Sequence, residues 1–384
     1  MRPLDGLLVL DFSTLLPGPL ATLMLAECGA EVVKIERPGR GDEMRGYAPK
    51  WGRDSANFAL LNRGKKSVAL DLKDPAERAR LAPLVARADV IVEQFRPGVM
   101  ARLGLDYEAV RAVNPGIVYC SVTGFGQTGP KRDEAGHDLN YIADTGLLAL
   151  SMGRPEAATV PPALIADIAG GAYPAVMNIM LGLQERTRTG RGCHLDVAMT
   201  DNLFPFMYWA LGAGAASGAW PGNGADLVTG ATARYHLYGT RDGRVVAAAP
   251  IEEKFWETFC DIVGLDAPLR DDAADPAATL ARVREIIAGE TAATWAARFA
   301  GRDCCCNVVT ELREAFEDPH HRARGLFDHR IADGQGGSIV ACPVPVSPLF
   351  RGRPEEARTS PALGEHNAEY LDAGRPDAPE APAG

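Results

Sequence analysis

A chain of 384 residues, 46% of them hydrophobic, can bury enough apolar surface for two domains. Its formal charge of −10 excludes a general nucleic-acid binder, which needs a basic surface, but leaves room for a local Arg/Lys cluster on one anionic cofactor. No apolar run reaches the length of a membrane span, and the opening MRPLDGLLVLDF reads as a strand rather than a signal peptide. Eight cysteines are scattered irregularly, and the consecutive Cys304, Cys305 and Cys306 cannot converge on one metal as CxxC pairs do. The expectation is a cytoplasmic protein with reduced thiols and no structural metal.

In chain order, LLVLDF (Leu7–Phe12) reads as a strand, TLLPGP as a turn, and LATLMLAECGA as a helix closed by Gly29. EVVKIE (Glu31–Glu36), SVALDL (Ser67–Leu72), ADVIVEQF (Ala88–Phe95) and IVYCSVTGFG (Ile117–Gly126) supply four more strands, with PAERARLAPLVARA as an intervening helix. Strands alternating with helices predict an α/β fold built on a mostly parallel sheet. The strand–turn–helix–strand opening imitates a dinucleotide site, but such a site wants G-x-G-x-x-G, and this turn has one glycine between two prolines.

Asp167 in ADIAGG precedes a long apolar run, IAGGAYPAVMNIMLGLQERT, predicted as a buried helix that Asp167 would N-cap. HLDVAMTDNLFPFMYWALGAG is predicted as a further helix, its aromatics around Phe204–Trp209 serving a core or a dimer interface. Residues 215–229, rich in Gly and Ala, read as a linker or mobile loop. A smaller unit follows: YHLYGT and RVVAAAP as a hairpin across RDG, then helices from Glu253 to Phe299. HRIADG and GSIVACPVPV read as late strands, and the tail PDAPEAPAG as disordered. His320-His321 reads as a surface turn, not a metal site, since adjacent histidines point in different directions.

Three acid–base residues stand out: His137 in GHDLNYIADTG, Asp167 in ADIAGG, and Glu252 in APIEEKFW. Together with VLDFSTLLPGPLATLMLAECGAEVVKIERP, these stretches closely resemble the family III CoA-transferases (the CaiB/BaiF superfamily), above all the branch containing the α-methylacyl-CoA racemases. His137 and Asp167 are 30 residues apart, and Asp167 and Glu252 are 85 apart, the racemase spacing. The likeness runs from about Leu4 to Phe327. It implies a Rossmann-like large domain and a smaller α+β domain, in a homodimer whose chains interlock like links. On that pattern residues 1–214 begin the large domain, 215–229 link, 230–325 form the small domain, and 326–384 return to the large one.

The resemblance also implies the chemistry. Removing the α-proton of a thioester needs a positioned base and a stabilised enolate, and inverting the centre needs an acid on the opposite face. His137 would be one base, with Glu252 supporting its cationic form, and Asp167 the other. In the transferase branch the aspartate is instead a nucleophile that forms a mixed anhydride with the acyl group. Two features lean towards the racemases: Glu252 itself, in Ile251-Glu252-Glu253-Lys254-Phe255, and the want of a clear glycine-rich loop of the formyl-CoA transferase kind. The racemases' proline and glutamine after that glutamate are changed here, and GATARYHLYGT departs from their GGAPFY-like run. Gly136 and the Gly170-Gly171 pair would let substrate lie close to the backbone. Arg37, Arg96 and Arg102 match family positions that contact CoA, with Asn62, Lys65, Phe95 and Gly136 as further contacts. The expected partners are an acyl-CoA thioester and a second copy of the chain. No tightly bound cofactor is expected beyond the substrate's own CoA, and no nucleic acid or membrane.

Overall fold

The apolar runs of the first third form five strands: β1 (Leu8–Phe12), β2 (Glu31–Glu36), β3 (Lys66–Ala69), β4 (Val90–Glu93) and β5 (Val118–Thr123). They are seen in a computed structural model describing residues 2–356 and 358–371, so the tail PDAPEAPAG lies outside the described residues. A sixth strand, β6 (Cys193–Ala198), falls where the sequence predicted a helix. Its first four residues alternate between half-buried and exposed, the period-two pattern of an edge strand; a 3-10 helix follows at Asp201–Met207, and α-helix begins at Tyr208. The Met and aromatic content of the following residues masked that alternation.

All six strands are parallel, in the order β3-β2-β1-β4-β5-β6. Leu10, Phe12, Val33, Ile35, Val68, Ile91 and Tyr119 form the centre of its core. Strands buried on both faces read as continuous apolar runs, which is why β1, β2 and β4 were visible in the sequence. The order reverses between β1 and β4. Chain leaving β1 runs to one side and chain leaving β4 to the other, so a crevice opens at their carboxyl ends, where ligands bind in open α/β sheets. Helix α1 (Pro17–Glu27) follows β1 and is buried along its whole length. Further along come α2 (Asp138–Asp144) and α3 (Tyr173–Thr189), the latter closed by Gly190 at φ 70°.

Contacts divide the chain into two units, one drawing on stretches that end at Thr145, span Ala163–Pro205 and begin at His320, the other on Gly146–Pro162 and Phe206–Pro319. The longer stretch of the second unit opens with α4 (Tyr208–Ser217). The segment expected as a linker continues through a 3-10 turn at Leu227–Thr229. Strands β7 (His236–Gly239) and β8 (Val245–Ala248) form the predicted hairpin, and β9 (Cys306–Val308) pairs antiparallel on the far side of β8. Helices α5 (Glu253–Val263), α6 (Pro276–Ala288) and α7 (Ala292–Phe299) cover this sheet. Helix α5 buries Trp256, Phe259, Cys260 and Val263, one stripe at helical spacing.

The chain then returns to the first unit. Strands β10 (Arg330–Ala332) and β11 (Ser338–Val340) pair as a hairpin, and α8 (Asn367–Leu371) lies against β3. There the Asn367 side chain accepts the Ala69 N–H and donates to the Ala69 carbonyl, 2.8 and 3.1 Å. A side-chain amide thus satisfies the free edge of β3. Among the described residues no helix is long and apolar enough to cross a membrane.

Candidate active site

The crevice at the β1/β4 reversal holds a cavity of about 470 Å3. Loops after β1 (Thr14, Leu15, Pro17), β4 (Gln94–Pro97) and β5 (Gly124, Phe125) wall it, and His137, Tyr141 and Asp167 close it. The β1 turn is shaped by polar capture. Leu15 has φ 62° and donates its N–H to Asp42 Oδ1 at 3.1 Å. Gly18 donates its N–H to Gln94 Oε1 at 3.0 Å. A helix amide that would meet pyrophosphate in a dinucleotide site is therefore already engaged.

Asp167 is not the N-cap of a helix, as the sequence suggested. It is the second residue of a π turn, Ala166–Ala172, that runs without a break into α3. Single π turns inside helices recur at functional sites. Its N–H donates to Asp138 Oδ1 at 2.9 Å, and Asp138, buried at the start of α2, fixes its position. Burial raises the Asp167 carboxyl from its ordinary 3.8 to about 6; the Asp138 charge adds to the rise and His137 opposes it.

His137 is the residue before α2, in extended backbone, with its N–H donated to Asn140 Oδ1 at 3.0 Å. The Tyr141 hydroxyl donates to the Gly136 carbonyl at 2.6 Å, anchoring the same turn. Both His137 and Asp167 face the cavity, and no hydrogen bond joins them among the described residues. The space between them is open to a substrate.

The glycines serve packing more directly than substrate access. A Cβ on Gly136 would stand 2.7 Å from Tyr141 Cε1, and one on Gly170 2.5 Å from the Met199 carbonyl oxygen. Gly136 lets the chain pass the tyrosine ring, and Gly170 lets the π turn seat against the segment after β6. Gly136 does line the cavity.

Of the expected CoA contacts, Phe95 and Arg96 line the cavity. Arg96 is exposed and has no ion pair among the described residues, and the same holds for Arg102, at the end of the short helix Val99–Arg102. Arg37 is half exposed, bonded to Glu43 Oε1 at 2.9 Å and the Gly41 carbonyl at 3.3 Å, and is not among the cavity's lining residues. Asn62 and Lys65 do not reach the cavity. Lys65 is fully buried, its Nζ donating to Asp11 Oδ2 (3.1 Å), Thr22 Oγ1 (2.8 Å), Asn62 Oδ1 (2.9 Å) and the Pro19 carbonyl (2.9 Å). Lys34, equally buried, pairs with Asp42 at 3.0 Å and donates to the Ser13 carbonyl at 2.7 Å. Burial lowers the Lys65 ammonium to about 8, against the pull of Asp11, with Lys34 adding to the fall. This ion cluster braces the β1 turn from beneath.

Sequence reasoning missed Asp138, Asn140 and Tyr141, all inside the GHDLNY segment beside His137, and Arg132, which lines the cavity with no pattern to mark it. Glu252 belongs to the second unit, exposed, as N-cap of α5. A larger hollow of about 580 Å3 in that unit has polar groups already engaged: Arg244 with Glu314 at 3.1 Å, and Asp242 with Thr240 and the Ala292 N–H.

The sequence profile of CoA-transferase family III matches residues 4–367. An α-methylacyl-CoA racemase of Mus musculus is 35% identical over 96% of this chain and 92% of its own length. A succinate–glutarate CoA-transferase of Agrobacterium fabrum is also 35% identical, over 96% and 95%. The crystal structure of a CaiB/BaiF family protein from Brucella suis matches with a TM-score of 0.80 at 30% identity, covering 96% of this chain and 98% of that one.

Proposed function

The chain belongs to CoA-transferase family III, and from that premise we propose that it is an acyl-CoA racemase or epimerase, inverting the α-carbon of a 2-methylacyl-CoA thioester by 1,1-proton transfer. The observation that carries the reading is the pair His137 and Asp167 on one cavity, unbonded to each other, with Asp167 raised to about 6. A carboxyl at that value holds or releases a proton near neutrality, so one proton can reside on either side of the substrate. In one direction Asp167 takes the α-proton and the imidazolium returns one to the other face; in the reverse the roles exchange. Glu252 is assigned the carboxylate that supports the imidazolium.

The CoA moiety is assigned to Arg96, Phe95 and Arg102. An arginine with no internal partner at a cavity lip supports that reading, since its guanidinium is available for a phosphate. Arg96→Ala should weaken CoA binding roughly tenfold, a charge-assisted hydrogen bond being worth about 1.5–3 kcal/mol; calorimetric titration with free CoA checks it. A homodimer is supported by an exposed apolar stripe on α3, where Tyr173, Met177, Met180 and Leu181 recur at helical spacing. Phe204, Phe206 and Tyr208 are exposed as well, which favours the interface for those three, whereas Trp209 packs on the core of Leu150, Met207 and Ala210.

The alternative is a CoA-transferase moving CoA between carboxylic acids through an Asp167 acyl anhydride, favoured by the equal likeness to a transferase. Incubation with (R)-2-methylacyl-CoA in D2O decides between them. Deuterium at the α-carbon with inversion supports the racemase, whereas no uptake but passage of CoA to added succinate supports the transferase. Glu252→Gln should slow α-proton exchange roughly 100-fold and leave any transfer nearly intact. Unchanged exchange would remove Glu252 from the mechanism.

A further inference from the structure

Behind the Phe95–Pro97 loop lies a second hollow, of about 260 Å3, which shares Arg96 and Pro97 with the first. Glu93, Ser121 and His194 line it, from the carboxyl-end half of β4 and β5 and from β6. Strand register sets Glu93, the last residue of β4, beside Ser121 of β5, and Ser121 beside Asp196 of β6. Glu93 is 4% exposed and pairs with no Lys or Arg among the described residues. A carboxyl so placed costs stability that a valine would not, and the reaction outlined above makes no use of it.

Its contacts point forward into the cavity. Glu93 Oε2 accepts the Phe95 N–H at 2.8 Å, at the bend that turns Phe95 and Arg96 towards the substrate space. On its other flank Ser121 hydrogen-bonds Glu93, and Ser121 Oγ lies 3.0 Å from His194 Nε2. The His194 ring stacks on Tyr107 at 5.3 Å and meets the edge of Tyr119 at 5.5 Å, so the chain of bonds behind Glu93 ends on a clamped ring. The next residue, Gln94, holds Gly18 of α1. The strand end is therefore tied to both walls of the crevice.

We propose that Glu93 is a positioning residue, holding the Phe95–Arg96 bend in the geometry that grips the CoA moiety of the substrate. The inference rests on the CoA assignment made above. Burial pushes Glu93 up to about 7, against the bonds from Ser121 and Phe95 and with the Asp196 charge adding to the rise. Acid and carboxylate both keep an oxygen that can accept the Phe95 N–H, so the hold survives titration.

The test uses the full chain with Glu93→Leu and Glu93→Gln, measuring free-CoA affinity by calorimetry together with kcat and KM. Leucine removes the acceptor and should raise Kd and KM roughly tenfold, with kcat within about twofold. Glutamine keeps an acceptor oxygen and should stay within about twofold of wild type in all three. Faster hydrogen exchange at the Phe95 amide in the leucine variant, at an unchanged melting midpoint, would tie the loss to the loop. Should the leucine variant fail to fold, Ser121→Val serves instead, with a smaller rise in Kd and KM. Unaltered CoA affinity in the leucine variant, a glutamine variant as weak as leucine, or a fall in kcat at constant KM would each overturn the inference alone. Wild-type protein that binds no CoA would overturn the assignment beneath it as well.

Discussion

Asp167→Ala should remove α-proton exchange and CoA transfer alike, by roughly three orders of magnitude or more, because in the proposed mechanisms the same carboxyl is the base of one chemistry and the nucleophile of the other. The fold should survive. The π turn is held through the Asp167 backbone N–H on Asp138, which alanine retains, and CoA affinity measured by calorimetry should change by less than about threefold. Substantial residual activity in either assay would move the chemistry to another residue. The pH dependence then separates the two reactions. With the carboxyl at about 6, a nucleophile needs only its ionised form, so kcat/KM for transfer should rise about tenfold per pH unit below 6 and level off above it. Racemisation needs one proton held between His137 and Asp167. Its kcat/KM should climb through the same region as the Asp167 carboxyl ionises, but without the plateau of transfer, since a proton must also be delivered to the other face. Asp167→Asn should flatten either profile along with the activity.

Lys65→Met should destabilise the protein by about 3–5 kcal/mol, the usual cost of removing one partner from a buried ion pair. Asp11 would keep Lys34 as a charged neighbour, but Thr22 and Asn62 would lose the donor that now serves both. In a unit of this size the melting midpoint should drop by roughly 10 °C. Adding Asp11→Leu should recover part of the loss, because the two residues act as a pair and the double mutant leaves less charge stranded. A midpoint within about 2 °C of wild type for Lys65→Met alone would mean that the cluster contributes little.

Lys65 shows where sequence reasoning ends. Its segment Asn62-Arg63-Gly64-Lys65 reads as a phosphate grip, and nothing local says otherwise. What turns the ammonium inward is Asp11, 54 residues away on β1, beyond β2 in the sheet. The central strands of the first third were legible because strands covered on both faces are mostly apolar, and β1, β4 and β5 carry such runs. The edge strand β6 was not, since its four exposed or half-exposed residues carry the signal and the Met- and Phe-rich chain beyond them reads as helix. His137 and Asp167 were found by motif, and the cavity does bring them together, but the reason for the Asp167 environment lies in Asp138, one residue past the histidine and 29 before the aspartate it fixes. Glu93 carried no signal in sequence, because a glutamate ending an apolar strand looks like any solvated strand terminus.

The Asn367 clasp on β3 bears on how the molecule is made. The first unit is assembled from three separated stretches of chain, the second emerges between them, and the strand that Asn367 seals is among the earliest synthesised. On the ribosome, the inserted unit has its whole sequence available while the parallel sheet still lacks its last segment and β3 stands with an open edge. That interval is a window for wrong edge-to-edge pairing, which domain-by-domain folding during synthesis does not close. Yield from the cell should therefore respond to chaperone supply and to translation speed near the carboxyl end more than to either unit's finished stability.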